Sequence, residues 1–315
     1  DNGHFVNVAS EAGINESLRG YGLGVAVGDL NSDGYPDIYV ANDFHEDDYL
    51  YYNNGDGTFT EALRQSMQHT SSAAMGTDMA DFNNDGWLDI VVLDMLPEQE
   101  AIRKSAVAAD PFDIYDTKLT FGYYHQLRRN TLQLNRGGIG GYPLFSEIGQ
   151  LAGIHATDWS WSPLFVDLDN DGRKDLFITN GIFRRPNDLD YLNYLKSPEA
   201  QALIGRNDPA AAPLPIAQEK LAEIVRHMPS VPLANYAFQN RGDLTFSNRA
   251  KEWGLDDAGF SSGAAYADFD NDGDMDLIVN NVNAPAAIYK NLLYQTEQDS
   301  LPANYLTVKF SGAAR

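Results

Sequence analysis

A nine-residue acidic phrase occurs four times in this 315-residue sequence, and this repetition restricts the fold more than any other feature. The four copies share the pattern D-x-[DN]-x-D-G-x-x-D and span residues 29–37, 81–89, 167–175 and 268–276. A short apolar run rich in β-branched and aromatic residues follows each copy, as in Ile38, Tyr39 and Val40. Runs of this length are typical of buried strands. Because Gly-containing runs of strand character precede the loops, each acidic phrase is predicted to join two strands.

The repeated unit extends beyond the acidic loop to a hairpin and a phenylalanine. Gly-containing turn phrases occur at residues 53–59 and 240–246, and Asn-Gly and Asp-Gly, both present in the first, supply the positive φ values that tight hairpins require. The phenylalanines that close these units lie 22 to 24 residues before the first Asp of the following loop and are Phe5, Phe59, Phe145 and Phe246. One unit is then a strand, the acidic loop, two further strands, the hairpin and a Phe-bearing strand. The sequence therefore predicts an all-β fold, a β-propeller of four-stranded antiparallel blades with four motif-bearing units.

The connection between the second and third strands differs in length from unit to unit. From the first loop Asp to the hairpin Asn the count is 24 residues in unit one (29 to 53), 54 in unit two (81 to 135), 73 in unit three (167 to 240) and 23 in unit four (268 to 291). The additional residues of units two and three, about 94–130 and 182–235, are predicted to form helical inserts. Helices are predicted near 97–109, 189–195 and 216–228, and a linker at 208–215. Connections alternate between the two ends of an up-and-down sheet. We therefore expect the acidic loops on one face and both inserts on the opposite one, here called the insert face.

The acidic loops have the composition of calcium sites. Oxygen-bearing side chains stand at positions 1, 3, 5 and 9, Gly stands at position 6 for the sharp turn, and the carbonyl of position 7 can add a further oxygen. Ca²⁺ takes about six to eight hard oxygen ligands, whereas Zn²⁺ prefers nitrogen and sulfur and Mg²⁺ requires a strict octahedron. An EF-hand needs a bidentate Glu at position 12, and that position is apolar in all four copies: Val40, Val92, Ile178 and Val279. The EF-hand interpretation is therefore excluded.

A solvated, Asx-rich turn without metal is the alternative interpretation of these loops. It explains one such loop, but it does not explain four copies in one register with Gly always sixth. Up to four structural Ca²⁺ ions are therefore predicted. The predicted ligand residues are Asp29, Asn31, Asp33, Tyr35, Asp37, Asp81, Asn83, Asp85, Trp87, Asp89, Asp167, Asp169, Asp171, Arg173, Asp175, Asp268, Asp270, Asp272, Asp274 and Asp276.

Composition restricts the class of partner. The chain has 45 Asp and Glu against 22 Lys and Arg, a formal net charge of -23, which argues against nucleic acid and anionic membrane surfaces. No apolar run of about 18 residues is present, so no transmembrane segment is expected. The absence of cysteine excludes disulfides and thiolate metal sites. A chain that opens at Asp1 is expected to be a mature product or a piece of a longer chain.

The four loops and their hairpins resemble the FG-GAP/VCBS repeats of integrin α-like propellers. Four phrases resemble more closely the exported VCBS-repeat proteins of Bacteroidetes-type bacteria and the related cartilage acidic protein group: D-I-Y-V-A-N-D-F (37–44), N-T-L-Q-L-N (130–135), D-W-S-W (158–161) and S-G-A-A-Y-A-D-F-D-N-D-G-D-M-D (262–276). The resemblance implies about seven or eight blades in the intact protein, calcium in the loops, and an extracellular, cell-surface or periplasmic location in bacteria. It implies no reaction.

The end of the chain resembles a different module. N-Y-L-T-V-K-F (304–310) is similar to the opening strand of an ASPIC/UnbV module. Residues 1–293 are therefore expected to form the propeller repeats, and residues 294–315 a linker and the truncated start of that β module.

The insert face is the candidate binding surface for a protein or a glycan. The candidate ligand-binding residues are Tyr123, Tyr124, Arg128, Arg129, Trp159, Trp161, Arg184 and Arg185. Packing of the inserts and blades on one another is the alternative role of these residues. Because no catalytic constellation is recognised, the leading hypothesis is a non-enzymatic, calcium-binding module. The alternatives are a carbohydrate-active enzyme similar to propeller polysaccharide lyases, and an architectural subunit of a surface complex or a larger chain.

Overall fold

The computed structural model describes residues 3–15, 20–107, 111–138, 141–204 and 218–293. Four antiparallel sheets follow one another along the chain, and in each the acidic loop joins the first two strands. Sheet one consists of β1 (Tyr21–Gly28), β2 (Asp37–Asp43), β3 (Tyr49–Asn53) and β4 (Phe59–Glu61), in that spatial order. It is followed by the short helix α1 (Leu63–Ser66) and the strand β5 (Thr70–Ser71).

Sheet two has the same topology and contains the first insert. Its elements are β6 (Thr77–Ala80), β7 (Asp89–Val92), the insert helices α2 (Glu100–Ser105) and α3 (Phe112–Thr120), β8 (Gln126–Leu127), β9 (Thr131–Asn135) and β10 (Phe145–Glu147). The sheet order is β10-β9-β7-β6, and β8 pairs in parallel with β5.

Sheet three contains the second insert. Its elements are α4 (Gly149–Ala152), β11 (Ser160–Val166), β12 (Asp175–Asn180), α5 (Leu189–Leu195), α6 (Pro198–Ile204), α7 (Gln218–Arg226), β13 (Leu233–Ala234), β14 (Tyr236–Asn240) and β15 (Phe246–Asn248). The sheet order is β11-β12-β14-β15, and β13 pairs outside this sheet with β16 (Ala258–Gly259). Sheet four has three strands among the described residues, β17 (Ser261–Ala267), β18 (Asp276–Asn281) and β19 (Ala287–Tyr289).

The hydrophobic core lies between successive sheets. One cluster of buried residues joins sheets one and two, a second joins sheets two and three, and a third joins sheets three and four. The first strands contact one another in sequence, β1 with β6, β6 with β11, and β11 with β17. Glycine allows this approach, since a Cβ atom on Gly76 would lie 2.0 Å from the backbone oxygen of Trp161. The sheets are therefore stacked face to face along the chain.

Of the predicted all-β propeller, the structure confirms the coarser part: the chain is mostly β, with three antiparallel sheets of four strands and a fourth with three strands among the described residues. Helices occupy the two long connections between second and third strands. The helix α2 is shorter at both ends than the predicted 97–109, and directly after its last residue the chain forms a β-bridge between Ala106 and Asp188. The connections place the acidic loops and the inserts at opposite ends of the sheets. No helix among the described ranges is long and apolar enough to span a membrane.

Phe5 differs from its three counterparts. Phe59, Phe145 and Phe246 each begin the outer strand of a sheet, whereas Phe5 lies in no strand and its side chain is fully exposed. An outer strand needs a third strand as its hydrogen-bonding partner, and among the described residues no such strand precedes β1. The predicted linker at 208–215 and the predicted module at 294–315 lie outside the described residues.

Candidate metal centres and ligand pocket

Each acidic loop is held in shape by its own backbone N–H groups. In loop one Asp33 N–H donates to Asp29 Oδ1 at 3.1 Å and Gly34 N–H donates to Asp29 Oδ2 at 2.9 Å. Tyr35 N–H donates to Asp33 Oδ1 at 2.8 Å. The same three bonds recur in the other three loops. The carboxylates at positions 1 and 5 are therefore oriented by the loop itself.

The loop conformation requires left-handed backbone at two positions. Position 6 is Gly in every loop, with φ between 87° and 97°. Position 4 has φ between 53° and 61° and is Ser32, Asn84, Asn170 or Asn271. Asn tolerates this region better than most residues. The spacing of the motif is therefore a backbone requirement as well as a ligand pattern.

The ninth residue connects each loop to the hairpin of its own sheet. Asp37, Asp89 and Asp175 are fully buried, and Asp276 is nearly so. In sheet three Asp175 Oδ2 accepts from Leu168 N–H at 3.0 Å, and its Oδ1 accepts from Asn240 N–H at 2.9 Å. The other three sheets repeat both bonds. Burial raises the pKa of Asp89 and of Asp175 to about 7. The two hydrogen bonds lower these pKa values in part, whereas the neighbouring loop carboxylates raise them slightly further.

The carboxylate oxygens converge in the two most acidic loops. Oxygens of Asp167, Asp169 and Asp175 lie within 4.8 Å of one another, as do oxygens of the equivalent residues of loop four. Oxygen donors at this separation suit a hard divalent cation. Burial, together with the nearby Asp169 and Asp171, raises the pKa of Asp167, and a bound cation would offset this cost. The residues present therefore fit Ca²⁺.

Loops one and two present an amide where loops three and four have a carboxylate. Asn31 Nδ2 donates to Asp33 Oδ2 at 2.9 Å, and Asn83 does the same to Asp85. In both loops the amide Oδ1 accepts from the backbone N–H of position 5. An oxygen donor is thus retained at position 3, but with less negative charge.

Basic side chains lie beside loops three and four. Arg173 Nη1 contacts Asp171 Oδ2 at 2.7 Å, and Lys290 forms an ion pair with Asp270. These contacts place positive charge beside the two loops that have the most carboxylates.

The side chains at position 7 have a packing role. Tyr35, Trp87 and Arg173 lie against the hairpin glycines of their sheets, where a Cβ atom would come within 2.8–3.0 Å of them. Asp274, the fourth position-7 residue, is fully buried. The predicted contribution of these residues to a metal remains their backbone carbonyl.

Two asparagines of the repeat connect neighbouring sheets, a role that sequence analysis missed. The hairpin residues Asn135, Asn240 and Asn291 donate Nδ2–H to the position-2 carbonyl of the preceding loop at 2.7–2.9 Å. At position 4, Asn84 and Asn170 donate to the Gly carbonyl of the following loop at 3.1 Å. The recurrence of asparagine at these two places in the repeat is the signal in the sequence that could have indicated this role.

The candidate residues of the insert face do not form one surface. Arg129 pairs with Glu147 at 2.9 Å, and Tyr124 donates its hydroxyl hydrogen to the Met67 carbonyl at 2.6 Å. Arg185 pairs with Asp158 at 2.8 Å, and both side chains are buried. Further internal contacts are made by Arg184, which donates to Met228 O, and Trp161, which donates to Gly181 O. Packing is therefore the observed role of these five residues.

Arg128 and Trp159 meet at a pocket on the insert face. Its volume is about 380 Å³, and its walls include Lys118, His45 and Met95. Arg128 Nη1 donates to the Val107 carbonyl at 2.7 Å at the edge of the pocket, and Trp159 stacks on Trp161 with a centroid separation of 6.3 Å. No Asp or Glu occurs among the described lining residues, although the chain is strongly acidic. Tyr123 lines a separate cavity with Glu46 and Asp47.

Comparison with known proteins gives a family and two partial relatives. The model of the FG-GAP-like repeat matches residues 29–92 and 227–279, which include loops one, two and four. Cartilage acidic protein 1 of Homo sapiens is 37% identical over 86 residues, covering 27% of this chain and 13% of the human protein. Cartilage acidic protein 1 of Xenopus tropicalis is 41% identical over 56 residues, covering 18% of this chain and 9% of the frog protein. The matched segments are thus a small part of each relative. By its repeated loops and these matches, the chain contains FG-GAP-like repeats.

Proposed function

We propose that this chain is a calcium-stabilised, extracellular β-propeller module that binds a glycan or a protein on its insert face. In this proposal the four sheets are blades within residues 1–293, and each acidic loop holds one structural Ca²⁺. The observation that carries it is the convergence of three aspartate oxygens within 4.8 Å in loops three and four. Each loop joins two strands and is tied to its hairpin, so a cation there would close the end of a sheet. An extracellular location is supported by the repeat family and by the similarity to cartilage acidic protein 1.

Calorimetric titration of the chelator-treated protein with CaCl₂ tests the calcium sites. We expect up to four ions per chain, and a melting temperature that rises with calcium and falls with EGTA. Asp169→Ala and Asp270→Ala remove one ligand each without touching the ninth Asp, so each variant should bind one ion fewer. Asp243→Ala, on an exposed hairpin, is the control and should bind the full number. An absence of binding heat together with an unchanged melting temperature would contradict the proposal.

The pocket at Arg128 and Trp159 favours an acidic glycan as ligand. A cationic lining on a chain of net charge -23 selects anions locally, and an indole ring offers an apolar surface to a sugar ring. A glycan array with acidic and neutral oligosaccharides in matched pairs tests this assignment. We expect binding of acidic members that Arg128→Gln and Trp159→Ala abolish. Arg103→Gln, an exposed change of the same charge on α2, should leave binding unchanged. Equal binding by all three variants would exclude the pocket.

A further inference from the structure

The residue at position 4 connects loops two, three and four in series. Asn84 of loop two donates Nδ2–H to the carbonyl of Gly172 in loop three at 3.1 Å. Asn170 of loop three donates in the same way to the carbonyl of Gly273 in loop four, also at 3.1 Å. The two bonds join equivalent atoms of residues that are 88 and 103 positions apart in the chain. This contact is therefore a repeated feature of the way in which these neighbouring loops meet.

The acceptor carbonyl belongs to a peptide unit that orients a predicted ligand. In loop three this peptide joins Gly172 to Arg173, and its N–H donates to Asp171 Oδ1 at 2.9 Å. In loop four the corresponding N–H, that of Asp274, donates to Asp272 Oδ1 at 3.3 Å. Because a peptide unit is planar, its C=O and N–H groups turn together. An amide that holds the carbonyl therefore also holds the N–H in its direction toward the carboxylate at position 5.

The donor lies between two predicted ligands of its own loop. Asn84 separates Asn83 and Asp85, at positions 3 and 5, and has φ 59°. Asn83 Oδ1 accepts from the backbone N–H of Asp85 at 3.2 Å, so these two residues already restrain the backbone between them. Coordination through both side chains would restrain Asn84 further, and with it the direction of its amide. A series of bonds thus runs from two ligands of loop two to one ligand of loop three.

Loop one differs from loops two and three at this position. Its residue at position 4 is Ser32, which has φ 58° but makes no hydrogen bond to loop two among the residues that the structure describes. The loops are nevertheless placed alike, since the hairpin asparagine that joins loops one and two does so at 2.9 Å and the one that joins loops two and three at 2.7 Å. The difference therefore lies in the side chain, which is shorter in serine than in asparagine.

We propose that Asn84 and Asn170 are positioning residues for the calcium site of the next loop, and that loops two, three and four are thereby coupled in calcium binding. This inference rests on the calcium sites of the proposed function. The amide of one loop orients the position-5 carboxylate of the next, so that the next loop loses less conformational freedom when it binds a cation. Because coupling between binding sites is reciprocal, occupation of the next loop favours binding in the preceding loop by the same factor.

Calorimetric titration with CaCl₂ of a protein that retains one site tests the positioning role. Asn31→Ala, Asn83→Ala and Asp270→Ala together remove the position-3 ligand from the other three loops and leave loop three intact. In this protein Asn84→Gly keeps the left-handed backbone and deletes the donor, and we expect the calcium affinity of loop three to fall about threefold to tenfold. Ser32→Gly makes the matched change in loop one and should leave the affinity unchanged. With one bound ion, repulsion between cations does not contribute.

The opposite substitution should produce a gain of affinity, which a purely structural role of the bond does not predict. Ser32→Asn places an amide where it can donate to the carbonyl of Gly86 in loop two. The protein that retains loop two alone is prepared with Asn31→Ala, Asp169→Ala and Asp270→Ala. In this protein we expect Ser32→Asn to raise the calcium affinity about threefold or more.

Coupling is measured in the otherwise unchanged chain, so that only one substitution is made at a time. The calcium binding isotherm of this chain should be steeper than that of independent sites. Asn84→Gly should make the isotherm less steep, and Ser32→Gly should not. Equal steepness in the three proteins would overturn the coupling.

The outcomes separate this inference from the proposed function. An affinity of loop three that is the same with and without Asn84→Gly would overturn the positioning role and leave the calcium sites in place. A lower melting temperature in EGTA with an unchanged calcium affinity would also overturn it, because the bond would then serve the structure alone. An absence of binding heat in the folded one-site proteins and in the unchanged chain would overturn the calcium sites and this inference together.

Discussion

The side-chain amide of Asn240 donates a hydrogen bond of 2.7 Å to the backbone carbonyl of Phe82, a residue 158 positions earlier in the chain. The same amide donates to Lys174 O in its own sheet, and its Oδ1 accepts from Gly242 N–H. One asparagine therefore joins a hairpin, the end of its own acidic loop and the start of the preceding loop.

Replacement of this asparagine should weaken the contact between sheets two and three. Asn240→Ala leaves the buried carbonyl of Phe82 without its donor, and such a loss costs about 1–3 kcal/mol of unfolding free energy. Chemical denaturation followed by tryptophan fluorescence measures it. Asn54→Ala is the matched control, since Asn54 is exposed and its side chain bonds to Thr58 and Thr60 of its own hairpin. Equal losses for the two variants would contradict a connecting role for Asn240.

A carboxylate at position 3 of loop one should strengthen calcium binding and weaken the calcium-free protein. Asn31 now donates to Asp33, and Asn31→Asp would place two carboxylates at that contact. We expect calcium affinity in loop one to rise on the order of tenfold, or about 1.4 kcal/mol. The melting temperature should fall in EGTA and rise in calcium. Asn54→Asp adds the same charge outside the loops and should not show this reversal of sign.

The stability of the protein should depend on pH through Asp48. This carboxylate is fully buried, accepts from the Tyr39 hydroxyl at 2.6 Å and from Asn42 N–H at 2.8 Å, and burial raises its pKa to about 7. In the unfolded chain its pKa returns to about 4, so between these values the folded state binds the extra proton. Its contribution to stability is complete below about pH 4 and is lost as the pH rises through about 7, by up to about 1.4 kcal/mol per pH unit.

Asp48→Asn tests this dependence. The counterparts of Asp48 are Asn130 and Asn235, whose Oδ1 atoms accept the equivalent backbone N–H, so the variant should fold. Unfolding free energies of the two proteins, compared from pH 4 to 8 in excess calcium, should show a smaller decrease for the variant. Parallel curves would show that Asp48 does not titrate in this range.

Removal of one partner of the buried ion pair between Arg185 and Asp158 should lower the unfolding free energy substantially. Arg185→Met leaves a buried carboxylate without its cation, and we expect a loss of about 3–5 kcal/mol. Asp158 has φ 67°, a conformation that Asn tolerates, so the double variant with Asp158→Asn should recover most of that loss. Arg226→Met, which breaks an exposed ion pair with Glu223, should cost less than about 1 kcal/mol. Urea unfolding of the four proteins measures these differences.

Several features of the fold were predictable because they depend on residues that are close together in the sequence. The acidic phrases, the β-branched runs after them and the Asn-Gly hairpins each depend on residues within a few positions of one another. The same is true of α5, predicted at its observed bounds of 189–195. The excess length between second and third strands located both inserts.

The candidate binding residues show where local pattern was insufficient. Arg128 and Arg129 are adjacent in sequence and chemically alike, yet Arg128 lines a pocket and Arg129 pairs with Glu147. Which of the two side chains can contact a ligand depends on the position of Glu147, which lies 18 residues after Arg129 in the sequence. Arg185 likewise forms an ion pair with Asp158, a residue that belongs to a different connection between strands.

The sequence by itself determined the loops, strands and hairpins of each unit, because oxygen spacing, positive φ values and β-branched runs act over short distances. Only the tertiary structure decided how the units join. The bond of Asn240 to Phe82, the close approach at Gly76 and the exposure of Phe5 depend on which sheet lies beside which, and residues a few positions apart do not specify that neighbour.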